Sequence, residues 1–102
     1  MVKVIWTARS LKDLEEIGEY ISKDSPKYAK LTLEKLIENT KLIEHNLLIG
    51  RIVPEVKQRD FREILTGNYR IIYQTMKGEY AYILTIHHTS RLLSNNPTFK
   101  RK

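Results

Sequence analysis

The feature that most restricts the fold of this chain is a change in the spacing of its apolar residues near the middle of the sequence. In residues 8–47 they recur every three or four positions, which is the spacing of one face of an amphipathic helix. In residues 61–88 they form short runs rich in β-branched and aromatic residues, which is typical of strands. Helices followed by strands predict an α+β fold.

Two helices are predicted in succession after a short first strand at residues 2–6. Thr7 is a suitable N-cap for the first helix. Asp24, Ser25 and Pro26 end that helix and begin the second, because Asp and Ser favour caps and proline fits the first helical position. The two helices should form a hairpin. Its buried positions are predicted to be Leu11, Leu14, Ile17, Ile21, Ala29, Leu33, Leu36, Thr40, Ile43 and Leu47.

Three strands are predicted in the second half, at residues 61–65, 69–76 and 80–88, with turns at Gly67-Asn68 and Lys77-Gly78. They should form an antiparallel meander that the first strand completes, which gives the order β-α-α-β-β-β and a mainly antiparallel four-stranded sheet. Residues 50–60 read as a loop with some extended character. The chain is predicted to be one domain over 1–102, with a mobile basic tail at 94–102.

The charge is divided unevenly along the chain. Residues 1–49 hold eight Lys/Arg and eight Asp/Glu, whereas residues 50–102 hold ten and four, so the whole net charge of +6 is C-terminal. A basic C-terminal half of this kind favours a polyanion or an acidic protein as the binding partner. The sequence has no cysteine and no long apolar run, so we expect a cytoplasmic protein with no membrane partner, no metal and no cofactor.

Arg70 is unusual because it is a permanently charged residue inside a predicted strand. Side chains alternate along a strand, so Arg70 should lie on the sheet face opposite to Ile71. If the helices cover the Ile71 face, Arg70 emerges on an uncovered face and needs no buried partner. The alternative is an ion pair with Glu63 across the hairpin. The same alternation places one of His87 and His88 inward or at an edge and the other outward.

Basic residues are expected to surround a concavity at the ends of these strands, where they could contact nucleic acid. Trp6, Tyr20 and Tyr28 are interpreted as core or hairpin-packing residues. A carboxylate, an arginine and a histidine on one concave face could cleave RNA without a metal, by moving protons and by stabilising the charge on phosphorus. The candidate nucleic-acid-binding residues are Arg51, Lys57, Arg59 and Arg62.

Four segments together resemble the RelE/ParE superfamily of bacterial toxins, whose members are often called plasmid stabilization proteins. They are "VIWTARSLKDLEEIGEYI", "DSPKYA", "REILTGNYRIIY" and "ILTIHHTSR", which follow one another over nearly the whole chain. The resemblance implies a small toxin of a type II toxin-antitoxin system that arrests bacterial growth and is neutralised by a cognate antitoxin.

The resemblance leaves the target of the toxin open. RelE-like members are mRNA interferases, endoribonucleases that cut mRNA on the ribosome, whereas ParE-like members inhibit DNA gyrase. By similarity to the ribonucleases, Arg70 and Arg91 would hold the scissile phosphate, and Glu55 or His88 would move protons. Thr89 stands where one such relative, the ribonuclease YoeB, has a tyrosine. In the gyrase alternative the helical hairpin or the C-terminal segment makes the contact with gyrase, and both arginines are structural. A third possibility is a module that binds the antitoxin and is no longer toxic.

Overall fold

The computed structural model describes residues 1–99 and has the predicted order of helices and strands. Two helices pack on one face of a five-stranded sheet, whose strands lie in the order β1-β5-β4-β3-β2. No helix within residues 1–99 is long and apolar enough to cross a membrane. The elements are β1 Lys3–Trp6, α1 Ala8–Ser22, α2 Pro26–Lys41 with a 3-10 turn at Leu42–Glu44, β2 Arg51–Ile52, β3 Phe61–Thr66, β4 Tyr69–Met76, β5 Tyr80–His88 and a 3-10 turn at Leu93–Asn95.

The sheet is antiparallel from β2 to β5, and β1 adds to its far edge parallel to β5. The α+β fold is therefore confirmed, with one strand more than expected. The additional strand is β2, which pairs Arg51 with Glu63 and Ile52 with Arg62 inside the segment that the sequence presents as a loop. Two residues are too few to show an alternating pattern, so the sequence gives no period for this strand.

The caps of both helices are the predicted residues. The hydroxyl of Thr7 accepts a hydrogen bond from the Ser10 amide at 3.2 Å, and the hydroxyl of Ser25 accepts one from the Tyr28 amide at 3.1 Å. The Thr7 hydroxyl also donates to the carbonyl oxygen of Ile83 on β5 at 2.6 Å. One residue therefore both begins α1 and ties the helix to the sheet.

The main core lies between the helices and the sheet. Leu14 and Ile17 of α1 and Leu33 of α2 pack against it as expected. Leu11 was predicted to be buried and is instead exposed, because the first turn of α1 contacts the sheet through Thr7 and turns Ser10 inward. The buried members of this core are Leu36, Ile43, Ile71, Tyr73, Ala81, Ile83 and Ile86.

An irregularity in the pairing of β4 with β5 changes the predicted alternation of β5. Ile72 pairs with Thr85 but Tyr73 pairs with Ile83, so Leu84 is an additional residue in the ladder. A bulge of this kind shifts the side chains on either side of it by one position. As a result Ile83 and Ile86 belong to the same core, although strict alternation places them on opposite faces.

The second face of the sheet is covered, which corrects the prediction that it is open. Ile72 on β4 packs there against Val53 and Leu93, and all three are buried. Val56, Phe61, Leu84 and Phe99 surround this smaller core. The cover comes from the loop after β2 and from the segment after β5, two aperiodic stretches whose apolar residues carry no strand or helix signal.

Part of the segment 94–102 belongs to this cover. Asn96 is buried, and its side-chain amide donates to the Thr85 hydroxyl at 2.9 Å. The ring of Phe99 lies edge-on to Phe61, with 6.3 Å between the ring centroids. Residues 100–102 lie outside the described part of the chain. The mobility predicted for 94–102 stays a prediction, although Asn96 and Phe99 within this segment contact the sheet.

Replacing Gly50 with alanine should destabilise the fold by about 1–3 kcal/mol, the usual cost of overpacking a filled site. An added Cβ would lie 2.7 Å from the Glu63 carbonyl oxygen and 2.8 Å from Cε1 of Tyr73. It would also disturb the hydrogen bond that the Gly50 amide donates to the Tyr73 hydroxyl at 2.9 Å. Urea denaturation followed by circular dichroism measures the change.

The matched control for that substitution is Gly18→Ala. The added Cβ meets only the flexible Leu33 side chain, with the nearest atom at 3.0 Å, and alanine favours the helix by about 1 kcal/mol over glycine. Gly18→Ala should therefore be close to neutral or slightly stabilising. Equal urea midpoints for the two variants would contradict the tight packing that the structure shows around Gly50.

Candidate functional site

Four side chains on the second face of the sheet form an ion-pair network that we call the Arg-Glu cluster: Arg51, Glu55, Glu63 and Arg70. Arg70 Nε donates to Glu63 Oε1 at 2.6 Å, and its Nη1 and Nη2 donate to the two carboxylate oxygens of Glu55 at 2.7 Å each. Glu63 Oε2 accepts from Arg51 Nε at 2.6 Å. Arg70 thus has all three of its nitrogens bonded to carboxylates.

Burial explains why the network is needed. The Glu63 side chain is 0% exposed and that of Arg70 is 10% exposed, so each would be very costly to bury without a partner of opposite charge. Two cations face two anions, and the cluster is electrically neutral. The expectation of a solvent-facing Arg70 is therefore wrong. The alternative, an ion pair with Glu63, is present, and Glu55 is a second partner that the sequence did not indicate.

The ionisation of the cluster follows from these contacts. The hydrogen bond to Glu55, with smaller effects from Glu63, raises the pKa of Arg70 above its ordinary value even though burial acts in the opposite direction. The hydrogen bonds from Arg70 lower the pKa of Glu55 below its ordinary value of 4.5. At neutral pH Glu55 is therefore a carboxylate without a proton to give, and its low basicity makes it a weak proton acceptor.

The ion pair of Glu55 should make stability depend on pH. Because the pKa of Glu55 is lowered in the folded state, its contribution is fully present above 4.5 and is lost as the pH falls through the lower folded value. The difference in free energy of unfolding between the wild type and Glu55→Gln should shrink as urea titrations move from pH 7 towards pH 3. A difference that stays constant over this range would show that the ion pair does not stabilise the fold.

His87 belongs to a buried hydrogen-bond network that the sequence did not single out. Its Nε2 lies 2.9 Å from the Arg91 carbonyl oxygen, which can only accept, so Nε2 carries the proton. Its Nδ1 then accepts from the side-chain amide of Asn96 at 3.0 Å. Asn96 also binds Thr85, so the network fastens the segment after β5 to the sheet. His87 therefore holds the turn that carries Arg91.

The structure brings Arg70, Glu55 and Arg91 together and separates His88 from them. The first three line one pocket of about 520 Å³. His88 lies at the end of β5 on the helix side of the sheet, where its ring is edge-on to Tyr69 at a centroid distance of 5.3 Å. It lines a different pocket of about 600 Å³, which Arg91 also borders.

The four residues predicted to bind nucleic acid divide into two pairs. Arg51 is part of the Arg-Glu cluster, and Arg62 donates to the backbone carbonyl oxygens of Gly50 at 3.0 Å and Arg59 at 3.1 Å. These two arginines therefore form hydrogen bonds to other residues of the same chain. Lys57 and Arg59 are exposed on the loop between β2 and β3, where their charges face solvent.

The family follows from comparison with known proteins. A family model described as ParE toxin of type II toxin-antitoxin system, parDE, matches residues 4–93, which is most of the chain. The chain belongs to the ParE toxin family. The resemblance to the RelE/ParE superfamily is thereby confirmed. Among curated proteins, none matches this sequence.

Solved structures of ParE-type proteins share the fold of this ParE-family toxin. A chain of the chromosomal ParDE toxin-antitoxin system from P. aeruginosa is similar with a TM-score of 0.70 and 21% identity, over 86% of this chain and 96% of that one. A YoeB/ParE toxin from Agrobacterium tumefaciens is similar with a TM-score of 0.59 and 14% identity, over 85% and 98% of the two chains. At these identities the likeness concerns the fold.

Two tyrosines stand out from the surface of this ParE-family toxin at the tip of the helical hairpin. Tyr20 near the end of α1 is 72% exposed, and Tyr28 at the start of α2 is 60% exposed, so their interpretation as packing residues is wrong. Position 20 lies outside the apolar stripe that runs through Ile17 and Ile21, and that spacing could have indicated its exposure. We call this pair the hairpin-tip tyrosines.

Proposed function

We propose that this ParE-family chain is the growth-arresting toxin of a type II pair, that a cognate antitoxin neutralises it, and that it inhibits DNA gyrase by binding rather than by cutting mRNA. The observation that carries the choice of mechanism is the Arg-Glu cluster. Arg70, the arginine that a ribonuclease would use, has Nε, Nη1 and Nη2 all bonded to carboxylates.

The chemistry of RNA cleavage fits this arrangement poorly. A guanidinium that stabilises a phosphorane must present its charge to the phosphate, whereas Glu55 occupies the outer side of Arg70. The proton donor would have to be near the same phosphate, but His88 lines another pocket. A ribonuclease would therefore need Glu55 to leave and another residue to replace His88.

Binding to a protein target is favoured by the hairpin-tip tyrosines. Tyrosine is enriched in the parts of interfaces that contribute most binding energy, because it offers a large apolar ring and a polar hydroxyl. Both rings are mostly exposed, so neither belongs to the core of residues 1–99. We infer that the two tyrosines form the contact with gyrase. Lys57 and Arg59, which are exposed on the loop between β2 and β3, favour approach to the DNA that gyrase holds.

The expected partners follow from this proposal. The antitoxin would be a short chain with an amphipathic segment that orders on binding, and an acidic composition would complement the net charge of +6. Gyrase acts on chromosomal DNA, so the toxin would work in the bacterial cytoplasm. Co-expression of the neighbouring antitoxin gene should restore growth.

Purified toxin added to DNA gyrase and relaxed plasmid should reduce supercoiling and accumulate gyrase-linked DNA breaks. Lys35→Ala is the control, because it changes an exposed position on the outer side of α2. This variant should inhibit supercoiling as strongly as the wild type. Addition of purified antitoxin should abolish the effect. Full supercoiling activity at a large molar excess of folded toxin would contradict the proposed target.

A further inference from the structure

We propose that the pocket beside Arg70 is a binding site for the carboxylate of an acidic residue in a protein partner, and that Glu55 fills this site in the free toxin. The proposal concerns one pocket and its ligand, and it does not depend on which target the toxin inhibits. It starts from the unequal burial of the two carboxylates that hold Arg70.

The inner and outer carboxylates differ in how easily they could be exchanged. Glu63 is 0% exposed and bonded to two arginines, so it is a fixed part of the sheet. Glu55 is 47% exposed and binds only the outer two nitrogens of Arg70. It lies on a tight turn in which the amides of Val56 and Lys57 donate to the carbonyl oxygen of Val53 at 3.1 and 2.9 Å. Rotation of the Glu55 side chain alone would free Arg70 without moving β2 or β3.

The geometry of the occupied site defines its ligand. Two parallel bonds of 2.7 Å from one guanidinium to two oxygens are the arrangement that a planar carboxylate forms with arginine. When Glu55 leaves, Arg51, Glu63 and Arg70 retain one net positive charge, and Arg91 supplies another across the same pocket. Thr89, Ser90 and Ser94 also line this pocket. The site therefore fits one anionic group with further hydrogen-bonding capacity around it.

The walls of the pocket favour a peptide over a nucleic acid as the source of the anion. Val56, Leu92, Leu93 and Phe99 line it beside the charged residues. A peptide that carries an apolar residue next to an acidic one could place the carboxylate on Arg70 and the apolar side chain against these walls. A sugar-phosphate backbone would leave the apolar surface unused and would need several cations along its path.

The first test is chemical rescue of Glu55→Ala, which removes the internal carboxylate and leaves space for a small one. Propanoate should raise the melting temperature of this variant more than chloride at equal ionic strength, and it should leave the wild type unchanged. The double variant Glu55→Ala, Arg70→Lys should lose the response, because lysine cannot form the paired bonds. If Glu55→Ala does not fold, Glu55→Ser, whose side chain also leaves space for a small carboxylate, serves in the same comparison.

The second test uses two capped tripeptides, Leu-Glu-Leu and Leu-Gln-Leu, titrated into labelled protein while the side-chain Nε–H signal of Arg70 is followed by NMR. The Glu peptide should bind Glu55→Ala about tenfold more tightly than the wild type, since an internal competitor is present at a high effective concentration. Equal affinity for the two peptides, or equal affinity of the two proteins, would overturn the proposal. Rescue by inorganic phosphate as strong as by propanoate would also overturn it, in favour of a nucleic-acid ligand.

Discussion

Replacing Glu63 with glutamine should lower the free energy of unfolding by about 3–5 kcal/mol, the usual cost of removing one partner from a buried ion pair. Glu63 is fully buried and accepts from Arg51 and Arg70 at 2.6 Å each. A neutral amide would leave Arg70, with its side chain 10% exposed, without its inner counter-charge. Domains of this size are stable by about 5–15 kcal/mol, so the variant should lose at least about a fifth of that margin.

Two controls make this prediction specific to the cluster. Glu38→Gln changes an exposed carboxylate on α2 and should alter stability by less than about 0.5 kcal/mol. Glu63→Leu combined with Arg70→Met removes both charges, and it should recover much of the loss because apolar pairs often replace buried ion pairs without cost. Urea titrations at neutral pH measure all three. A loss below about 1 kcal/mol for Glu63→Gln would show that the cluster is not held by buried charge.

Replacing the hairpin-tip tyrosines should abolish growth arrest while leaving the fold intact. Truncating a tyrosine at the centre of an interface typically costs about 2 kcal/mol or more, which is close to a thirtyfold loss of affinity per residue. Tyr20 and Tyr28 are mostly exposed, so Tyr20→Ala and Tyr28→Ala should each change the free energy of unfolding by less than about 0.5 kcal/mol. Colony counts after induction and the gyrase supercoiling assay report the loss.

The control for the tyrosines is an exposed apolar residue elsewhere. Leu42 follows α2 at the end opposite to Tyr28, is also exposed, and lies away from the proposed contact at the hairpin tip. Leu42→Ala should therefore remain as toxic as the wild type. If the double variant of Tyr20 and Tyr28 still arrests growth at the same expression level, the gyrase contact lies on another part of the surface.

The local features of this fold could be predicted from the sequence because they depend on neighbouring residues. Thr7 and Ser25 cap the helices as expected, since a cap is decided within one turn. Gly67 and Gly78 have φ angles of 57° and 69°, in the region that glycine adopts without strain, and both turns lie where the sequence places them. Helical periodicity likewise indicated most of the core positions in α2.

The features that could not be predicted depend on contacts between distant segments. The bulge at Leu84 moves Ile86 to the helix side, and no residue near it marks the change. The second core joins Val53 to Leu93, which lie in segments without a regular period. Because no pattern in the sequence indicates that core, the sequence predicts an open face around Arg70.

In the Arg-Glu cluster, one of the two carboxylate contacts of Arg70 could be predicted from the sequence and the other could not. Arg70 opposes Leu65 in the hairpin, so Glu63 is its diagonal neighbour, and that contact could be derived from the predicted turn. The contact with Glu55 depends on the path of a loop in which Lys57 has a φ angle of 57°. A non-glycine residue in this conformation is uncommon and is not indicated by its neighbours. The proposed mechanism therefore rests on a contact that only the three-dimensional structure shows.

The most direct test of the account is to induce the toxin without antitoxin in a bacterial host and to examine the cells when growth stops. Two quantities are measured in the same culture: the positions of mRNA ends and the amount of DNA linked covalently to gyrase. We predict intact mRNA and an increase in gyrase-linked DNA breaks. Codon-phased cuts in mRNA that disappear in Arg70→Ala, without gyrase-linked breaks, would contradict the account and assign Arg70 to a ribonuclease site.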